Sequence, residues 1–266
     1  MLALGAESID LEKTLANFAR DGFAYLGNVA SPEATRAMGD RVDEIMLGRV
    51  TYPGLFFQLD AETNRYDDLH FKRGYEGPSL EYRKIEKLEK DAIFRGWIEN
   101  RLFERVARSV IPGEIVIYRA LIFAKGARGG SNLPWHQDGG KFWGLDRDPA
   151  LQVWTALDDA PEDGGCVEVI PGSHHAGLVT PLGGVIPKPF LDANEAESRA
   201  VKIPARAGDV YLIHNCLWHR SGVNRSGRPR RAFTVCYMSD QTKCTRKKKT
   251  PRIFEPVFRG ADSCNR

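Results

Sequence analysis

The sequence has no long apolar run, no paired cysteine motif and no large excess of one charge. Among its 266 residues, no stretch approaches the roughly 20 apolar residues that a membrane-spanning helix requires. The N-terminus carries neither the basic region nor the apolar region of a secretory signal. The five cysteines are odd in number and contain no CxxC pair, which is typical of free thiols in a reducing compartment. We therefore expect a cytoplasmic protein without disulfides.

The net charge of +3 is too small to indicate a polyanionic partner, but it is unevenly distributed. Six basic residues cluster near the C-terminus: Lys243, Arg246, Lys247, Lys248, Lys249 and Arg252. Such a cluster is either a nucleic-acid or anion patch or a solvated loop, and the solvated loop is the more common case. We expect no membrane partner and no nucleic-acid partner, and the oligomeric state stays open.

Length and composition fit one domain that spans residues 1–266. The apolar and charged fractions, 42% and 27%, are those of a globular protein, and a chain of this length buries a large core without disulfides. Within this domain the composition and the hydrophobic pattern of the sequence change twice. They indicate a helical N-terminal part at about 9–110, a β-rich core at about 114–240 and a basic C-terminal segment at 243–266.

The N-terminal part shows the spacing and boundary signals of helices. Apolar residues recur at helical spacing over residues 11–19, and Ser31-Pro32 is an N-cap followed by proline at the first helical position. One further helix is predicted over residues 92–110. The intervening residues 49–90 are irregular, and we interpret them as a lid or specificity loop.

From Glu114 onward, short β-rich runs alternate with turns rich in Gly, Pro, Asp and Asn. The runs are Ile115–Lys125, Leu151–Leu157, Cys166–Ile170, Val210–His214 and Ala232–Met238. The connections are too short for repeated strand–helix–strand units. The pattern predicts a mainly β protein with flanking helices, whose core is an eight-stranded jelly roll, a cupin-like double-stranded β-helix.

One short motif in the β-rich core carries metal-binding chemistry. His136 and Asp138 are two residues apart on an extended segment, so both side chains point to the same face and can bind one cation. So short a pattern is weak evidence by itself. A second histidine would complete the two-histidine, one-carboxylate triad of non-haem Fe(II) oxygenases.

The remaining histidines supply the candidates for the third ligand. His219 lies at the end of a strand, where sites of barrels and sandwiches cluster, so its position favours it. His214 shares a strand face with apolar residues and reads as a core histidine, although it stays open as a ligand. His174 and His175 follow a turn signal, and His70 lies in the irregular segment, so these three are weaker candidates.

A basic residue lies eleven positions after His219. Arg230 begins the next predicted strand, which we expect to pair beside the segment that carries His219. A buried arginine there can bind a carboxylate through two charge-assisted hydrogen bonds, as the far carboxylate of 2-oxoglutarate would require. The alternative is that Arg228, Arg230 and Arg231 form an ordinary basic turn.

In this order and at these spacings, the motifs resemble the phytanoyl-CoA dioxygenase family. The resemblance is carried by Phe18–Phe23, Trp135–Asp138, Trp154–Leu157, Gly164–Cys166, Ile170–His174, Gly208–Val210, His219–Asn224 and Arg230. It extends from about residue 9 to residue 240 and is densest between residues 133 and 235. Each motif alone is unspecific, and their combination is specific.

The resemblance implies that His136, Asp138 and His219 bind Fe(II) and that Arg230 pairs with the distal carboxylate of 2-oxoglutarate. Because Asp138 is present, the family resemblance favours hydroxylation over halogenation, in which a small residue replaces this carboxylate. The implied enzyme is an Fe(II)- and 2-oxoglutarate-dependent dioxygenase. It would use O2 to hydroxylate, or otherwise oxidise, an unactivated C–H bond of a small molecule and would release succinate and CO2.

Three further residues take implied roles at the co-substrate. Ser221 would add a hydroxyl hydrogen bond to 2-oxoglutarate, and Trp154 would line the co-substrate pocket, although a core aromatic is an equally good interpretation. Gln137 would face away from the metal on a regular strand, but the family resemblance places it near the co-substrate.

The substrate must be recognised by segments outside these motifs. The candidates are the 49–90 segment with Tyr52, Phe56, Phe57, Lys72, Arg73 and Tyr75, the segment Lys141–Trp143, and the segment Pro181–Phe190. Their aromatic and basic residues predict a medium-sized, partly apolar small molecule with a polar or anionic handle as substrate.

Two other functions stay open at the level of sequence. A non-redox zinc enzyme could use the same ligands, although Arg230 would then have no role. A metal-binding or nucleic-acid- or anion-binding member without oxygenase activity could use the basic C-terminal cluster. Phosphate binding of that kind would weaken steeply with salt.

Overall fold

A computed structural model describes residues 9–71, 74–127, 129–247 and 252–259 of the chain. The helices of the described part are α1 Leu11–Asp21, α2 Pro32–Met46, α3 Ala92–Ile98, α4 Arg101–Val110, α5 Lys188–Ala193 and α6 Ala196–Arg199. Short 3-10 helices lie at Tyr66–Asp68, Leu88–Lys90, Glu162–Gly164 and Ser173–Ala176. No helix in these ranges is both long enough and apolar enough to cross a bilayer.

The strands are short, as the turn-rich sequence predicts. They are β1 Phe23–Asn28, β2 Phe56–Leu59, β3 Tyr82–Glu86, β4 Ile115–Lys125, β5 Leu133–Gln137, β6 Leu151–Ala156, β7 Val167–Val169, β8 Gly184–Val185, β9 Val201–Ile203, β10 Asp209–Ile213, β11 His219–Ser221, β12 Arg230–Ser239 and β13 Glu255–Phe258. All pairings between them are antiparallel.

The strands form two sheets. The larger has the order β1-β10-β6-β12-β4-β3-β2, with β13 added to β4, and the smaller has the order β8-β5-β11-β7-β9. Apolar side chains from both sheets, among them Ala156, Ala232 and Val167, share one buried cluster, so the sheets pack face to face. The predicted jelly roll, a mainly β fold with flanking helices, is confirmed.

Helices α1 to α4 cover the outer face of the larger sheet, whereas α5 and α6 pack beside the smaller sheet. Because side chains alternate along a strand, Phe233 and Val235 on β12 pack outward against helical residues such as Trp97, which is 1% exposed. The side chain between them, Thr234, points to the opposite face and lines a cavity between the sheets. The outer core thus holds the larger sheet in place and leaves its inner face free for polar groups.

Two predicted features of the N-terminal part are wrong. The single helix over residues 92–110 is two helices, because Asn100 caps α4 by accepting a hydrogen bond from the backbone N–H of Leu102 at 2.9 Å. The segment 49–90 is not wholly irregular, since it contributes β2 and β3 to the larger sheet. The sheets therefore draw strands from both the helical part and the predicted β-rich core.

The jelly roll is also larger than predicted. The described residues contain more than the eight expected strands, because β1 pairs with β10 and because β2 and β3 extend the larger sheet beyond β4. Part of the basic cluster, residues 248–251, lies outside the described residues, so its predicted role is not addressed by the fold.

Candidate metal centre

Three predicted ligands come together at one end of the inner cavity. His136 on β5 and His219 on β11 are direct register partners in adjacent antiparallel strands, and Asp138 follows β5 immediately. One ligand atom from each residue lies within 4.8 Å of the others, and Asp138 Oδ2 is 3.7 Å from His219 Nε2. Among the described residues, this is the group of His, Cys, Asp and Glu side chains that could hold a metal ion.

The two imidazoles are oriented by the backbone of their own strands. His136 Nδ1 lies 2.9 Å from the carbonyl oxygen of Pro134, and His219 Nδ1 lies 2.9 Å from that of Leu217. Since a carbonyl only accepts, each Nδ1 carries the proton and donates it, which leaves each Nε2 lone pair for a metal. Burial, reinforced by repulsion from His219, lowers the pKa of His136 to about 3. The ligand is therefore neutral at physiological pH.

The third ligand is held by side chains that the sequence did not reveal. Gln152 Nε2 donates to Asp138 Oδ2 at 2.8 Å, and Arg119 Nη2 donates to Asp138 Oδ1 at 3.2 Å. Burial alone would raise the pKa of Asp138. Attraction to Arg119, then to the two histidines, outweighs burial and holds that pKa well below its usual range. The carboxylate is thus charged and fixed before any metal arrives.

Arg119 is itself positioned by an aromatic side chain. Its guanidinium carbon lies 4.1 Å from the ring centroid of Trp143, and the arginine side chain is only 14% exposed. The one sequence signal for this role is a charged residue in the middle of the apolar run that forms β4. Pattern alone cannot say that β4 lies next to the metal ligands.

Asn215 fixes the backbone at the carboxylate. The backbone N–H of Asp138 donates to the carbonyl of Asn215 at 2.9 Å, and the Asn215 amide donates back to the carbonyl of Asp138 at 3.1 Å. Asn215 is fully buried. The reciprocal pair ties the end of β5 to the loop that leads into β11.

This donor set fits a divalent iron ion. Two imidazole nitrogens and one carboxylate on one side of the site leave further coordination positions toward the cavity, which is the arrangement of the non-haem Fe(II) facial triad. The neutral His136 and the ionised Asp138 are already in the protonation states that metal binding requires. The predicted cofactors, Fe(II) with 2-oxoglutarate and O2, agree with this chemistry.

The triad opens into a cavity between the sheets of about 650 Å³, its mouth included. Its walls combine the triad with aromatic, hydroxyl and cationic side chains. The lining residues are Arg83, Phe123, Ala124, Lys125, Ser131, Leu133, His136, Asp138, Gln152, Trp154, Val167, Ile213, His219, Arg220, Ser221, Arg230 and Thr234. Of the residues predicted at the co-substrate, the structure thus brings Arg230, Ser221 and Trp154 to the cavity.

Gln137 is the predicted site residue that does not line this cavity. Its amide nitrogen donates to the carbonyls of Gly177 and Cys216 at 2.8 and 2.7 Å, and its amide oxygen accepts from the backbone N–H of Val179 at 2.8 Å. It points to the other side of β5, as alternation along a regular strand predicts. We assign it to the support of the loops around the triad.

Arg230 begins β12 as predicted, but the predicted pairing of that strand is wrong. β12 pairs with β4 and β6 in the larger sheet, whereas His219 lies on β11 in the smaller sheet. Arg230 and the triad therefore meet across the cavity and not along neighbouring strands. The arginine is 3% exposed, and its Nη2 donates to the carbonyl of Gly165 at 2.6 Å.

The other histidines of the β-rich core cluster away from the triad. The ring centroids of His174 and His214 are 4.9 Å apart, and those of His174 and His175 are 4.0 Å apart. His174 and His175 lie against carbonyls at the end of α1, those of Ala19 and Arg20. This cluster joins α1 to the β-rich core, which agrees with the interpretation of His214 as a core histidine.

The segments predicted to recognise substrate contribute one described residue to the cavity wall, Arg83 of the 49–90 segment. Tyr52 donates its hydroxyl to Asp91 at 2.7 Å, and Phe57 packs in the outer core. The other described residues of these segments do not line the cavity. Lys72 and Arg73 lie outside the described residues.

The family model for phytanoyl-CoA dioxygenase (PhyH) matches residues 18–232, which is most of the chain. The chain belongs to the phytanoyl-CoA dioxygenase family. The matched range includes the triad and Arg230. The bovine phytanoyl-CoA dioxygenase domain-containing protein 1 is 27% identical to it over 260 residues, with 84% of this chain and 88% of the relative covered.

Solved structures show that this member of the phytanoyl-CoA dioxygenase family shares its fold with other proteins. EctD from S. alaskensis, solved with 2-oxoglutarate and 5-hydroxyectoine, superposes with a TM-score of 0.70 at 19% identity, over 95% of this chain and 88% of that one. The epimerase SnoN, solved with Fe3+, α-ketoglutarate and nogalamycin RO, gives a TM-score of 0.67 at 18% identity, over 92% and 94% of the two chains. At these identities the likeness concerns the fold alone.

Proposed function

We propose that this protein is an Fe(II)- and 2-oxoglutarate-dependent dioxygenase that hydroxylates an unactivated C–H bond of a small molecule. One observation carries the proposal: a pre-oriented His-Asp-His triad shares one cavity with the buried cation Arg230. Family membership supports an oxygenase of this class. Hydroxylation is part of the proposal and does not follow from the fold, because an epimerase shares that fold.

In this proposal, His136, Asp138 and His219 bind the iron. When bound, iron and 2-oxoglutarate would supply oxygen activation, coupled to decarboxylation of the co-substrate to succinate and CO2. Arg230 binds the distal carboxylate of 2-oxoglutarate through charge-assisted hydrogen bonds, assisted by the hydroxyl of Ser221. Both residues line the same cavity as the triad.

The remaining residues orient groups and exclude water. An apolar wall around the co-substrate position is formed by Trp154, Phe123 and Leu133, and it reduces the access of water to the reacting centre. Gln152 and Arg119 keep the two oxygens of Asp138 fixed, so only one face of the carboxylate is free for a metal. The substrate C–H bond would be placed at the cavity mouth, and family membership supports a small-molecule substrate.

The Asp138→Ala and His219→Ala variants test this function. Anaerobic addition of Fe(II) and 2-oxoglutarate to the wild-type protein should produce a weak visible charge-transfer absorption, and both variants should lose it together with succinate formation. His214→Ala is the matched control, since that histidine lies outside the triad, and it should retain the absorption. Normal turnover in both triad variants would refute the site.

A zinc hydrolase is the competing function with the same ligands. It predicts substrate turnover without 2-oxoglutarate and without succinate. Arg230 argues against it, because a buried cation facing the cavity has no role in that chemistry. A turnover assay with Zn(II) alone separates the two functions.

A further inference from the structure

A second carboxylate lies behind the arginine that holds Asp138. Glu86 on β3 is the register partner of Leu121, so it faces the same side of the larger sheet as Arg119, its diagonal neighbour on β4. That side is the cavity face, because Phe123 on the same face of β4 lines the cavity. Glu86 is mostly buried, with 24% of its side chain exposed.

Glu86 belongs to a chain of alternating charges that ends at the metal ligand. Lys84 Nζ lies 2.5 Å from Glu86 Oε1, and Arg119 Nη1 lies 4.0 Å from the same oxygen. At its other side, Arg119 donates through Nη2 to Asp138 Oδ1 at 3.2 Å. All four side chains are largely shielded from solvent, so salt screens these interactions little.

Glu86 is ionised within this chain. Burial alone would raise its pKa, but attraction to Lys84, then to Arg119, outweighs burial and lowers that pKa below its usual value. Arg252, from the basic C-terminal cluster, acts in the same direction. A full negative charge therefore lies next to Arg119 at physiological pH.

Arg119 has few other contacts that fix its orientation. Its buried Nε has no hydrogen-bond partner among the described residues. The ring of Trp143 lies against the face of the guanidinium, which restrains its plane but not its rotation within that plane. The two carboxylates of Glu86 and Asp138 therefore determine which N–H groups of the arginine point to the metal site.

The orientation of Arg119 determines which oxygen of Asp138 stays available. Arginine and a carboxylate favour a bidentate pair, in which two N–H groups bind both oxygens. Here Arg119 binds only Oδ1, whereas Oδ2 accepts from Gln152 and lies 3.7 Å from His219 Nε2. A bidentate pair would bring the guanidinium to Oδ2, where it would compete with a metal ion.

We propose that Glu86 is a positioning residue of the metal site, which keeps Arg119 on one oxygen of Asp138 and leaves the other oxygen free for iron. The proposal rests on the proposed function, because it assumes that the triad binds iron. Glu86 touches neither the ligands nor the cavity and acts through Arg119. It also offsets positive charge beside the triad, so an incoming divalent ion meets less repulsion.

The test measures metal affinity without co-substrate and without turnover. Metal-free protein is titrated anaerobically with Fe(II) in competition with a chromophoric chelator. Glu86→Gln keeps the size of the side chain and removes its charge, and it should weaken Fe(II) binding about ten- to a hundredfold, as is usual for partners of ligating side chains. Glu86→Asp should restore part of the affinity. Glu104→Gln, which removes a glutamate from an ion pair on α4, should leave it unchanged.

A double-substitution cycle determines whether Glu86 acts through Arg119. In an Arg119→Gln background, Glu86→Gln should cost much less Fe(II) affinity than it costs in the wild-type background. Equal losses in the two backgrounds would contradict the assigned role. With Fe(II) saturating, Glu86→Gln should bind 2-oxoglutarate as the wild-type protein does, measured by the charge-transfer absorption, because the end of the cavity at Arg230 is unchanged.

The melting temperature of the metal-free protein separates positioning from a purely structural role. A structural glutamate would lower the melting temperature in Glu86→Gln and leave the Fe(II) affinity of the folded protein unchanged, which would overturn the proposal. If Glu86→Gln does not fold, Lys84→Met/Glu86→Gln, which also removes the neighbouring cation, allows the same titration and should show the same loss.

The Fe(II) titration also separates this proposal from the proposed function. A wild-type protein that does not bind Fe(II) would refute the iron site, and the role of Glu86 with it. A wild-type protein that binds Fe(II), with unchanged affinity in Glu86→Gln, would refute the role of Glu86 alone. A loss of the same size in Glu104→Gln would also overturn that role.

Discussion

The two ends of the cavity differ in how their charges are balanced. At the metal end, Asp138 is paired with Arg119 and Gln152, and both histidines are bound by backbone carbonyls. At the distal end, Lys125 and Arg230 face the cavity without an ion pair among the described residues. The carboxylate at the metal end therefore has a charged partner within the protein, whereas the cations at the distal end have only carbonyl partners among the described residues.

Of the substitutions considered, removal of Arg230 should have the largest effect, and this effect should be on the binding of 2-oxoglutarate at the distal end of the cavity. In Arg230→Leu, the distal carboxylate of 2-oxoglutarate would be buried without its main partner, at a cost of about 3–5 kcal/mol. We expect the KM for 2-oxoglutarate to rise more than about a hundredfold, with Fe(II) affinity unchanged. Steady-state succinate formation and a separate Fe(II) titration measure the two quantities.

The exposed Arg228 provides the control for that experiment. Arg228→Leu removes the same charge two residues away and should leave the KM for 2-oxoglutarate unchanged. A similar rise of KM in both variants would mean that the basic turn acts as a diffuse patch, as the alternative interpretation of Arg228, Arg230 and Arg231 holds.

Removal of Arg119 tests the claim that the metal end is stabilised by internal pairing. Arg119→Met leaves the buried Asp138 without its counter-charge, so the free energy of unfolding of the metal-free protein should fall by about 3 kcal/mol. Lys125→Met at the distal end removes an unpaired cation and should change it by less than about 1 kcal/mol. Urea unfolding in the presence of a chelator measures both. Equal losses in the two variants would contradict the comparison.

The last expected effect is the acid sensitivity of the metal end. The pKa of His136 is lowered to about 3 in the folded state, against about 6.5 unfolded, so only the unfolded chain binds a proton between these values. The stability that neutral His136 contributes is therefore complete above pH 6.5 and is lost as the pH falls toward 3, by at most about 1.4 kcal/mol per pH unit. Chelator-treated His136→Gln should show a flatter pH dependence of unfolding than the wild-type protein.

The candidate metal ligands could be brought together from the sequence because their spacing is local. His136 and Asp138 share a face by strand alternation, and Arg230 follows His219 by a short connection. The jelly roll could be predicted from turn signals between β-rich runs. The break before α4 also had a local signal, since Asn100 is a preferred N-cap residue. The continuous helical periodicity over residues 92–110 concealed that signal.

The partners of those ligands could not be predicted, because they depend on which strands lie side by side. Arg119 and Lys125 lie on β4, outside the motifs, and reach the site through the position of β4 beside β12 in the larger sheet. The wrong pairing predicted for Arg230 has the same origin: a short connection joins strands of different sheets. The spacing of residues in the sequence indicates the candidate ligands, whereas the side chains around them depend on the order of the strands in the sheets.

The direct pairing of His136 with His219 has a consequence for how such a protein can vary. Their relative position is set by the hydrogen bonds of two adjacent strands, and not by the long connection that links them in the chain. Insertions and deletions in the exposed parts of that connection, such as residues 192–195, can accumulate without displacing either imidazole. The iron site and the peripheral loops are thus free to evolve at different rates.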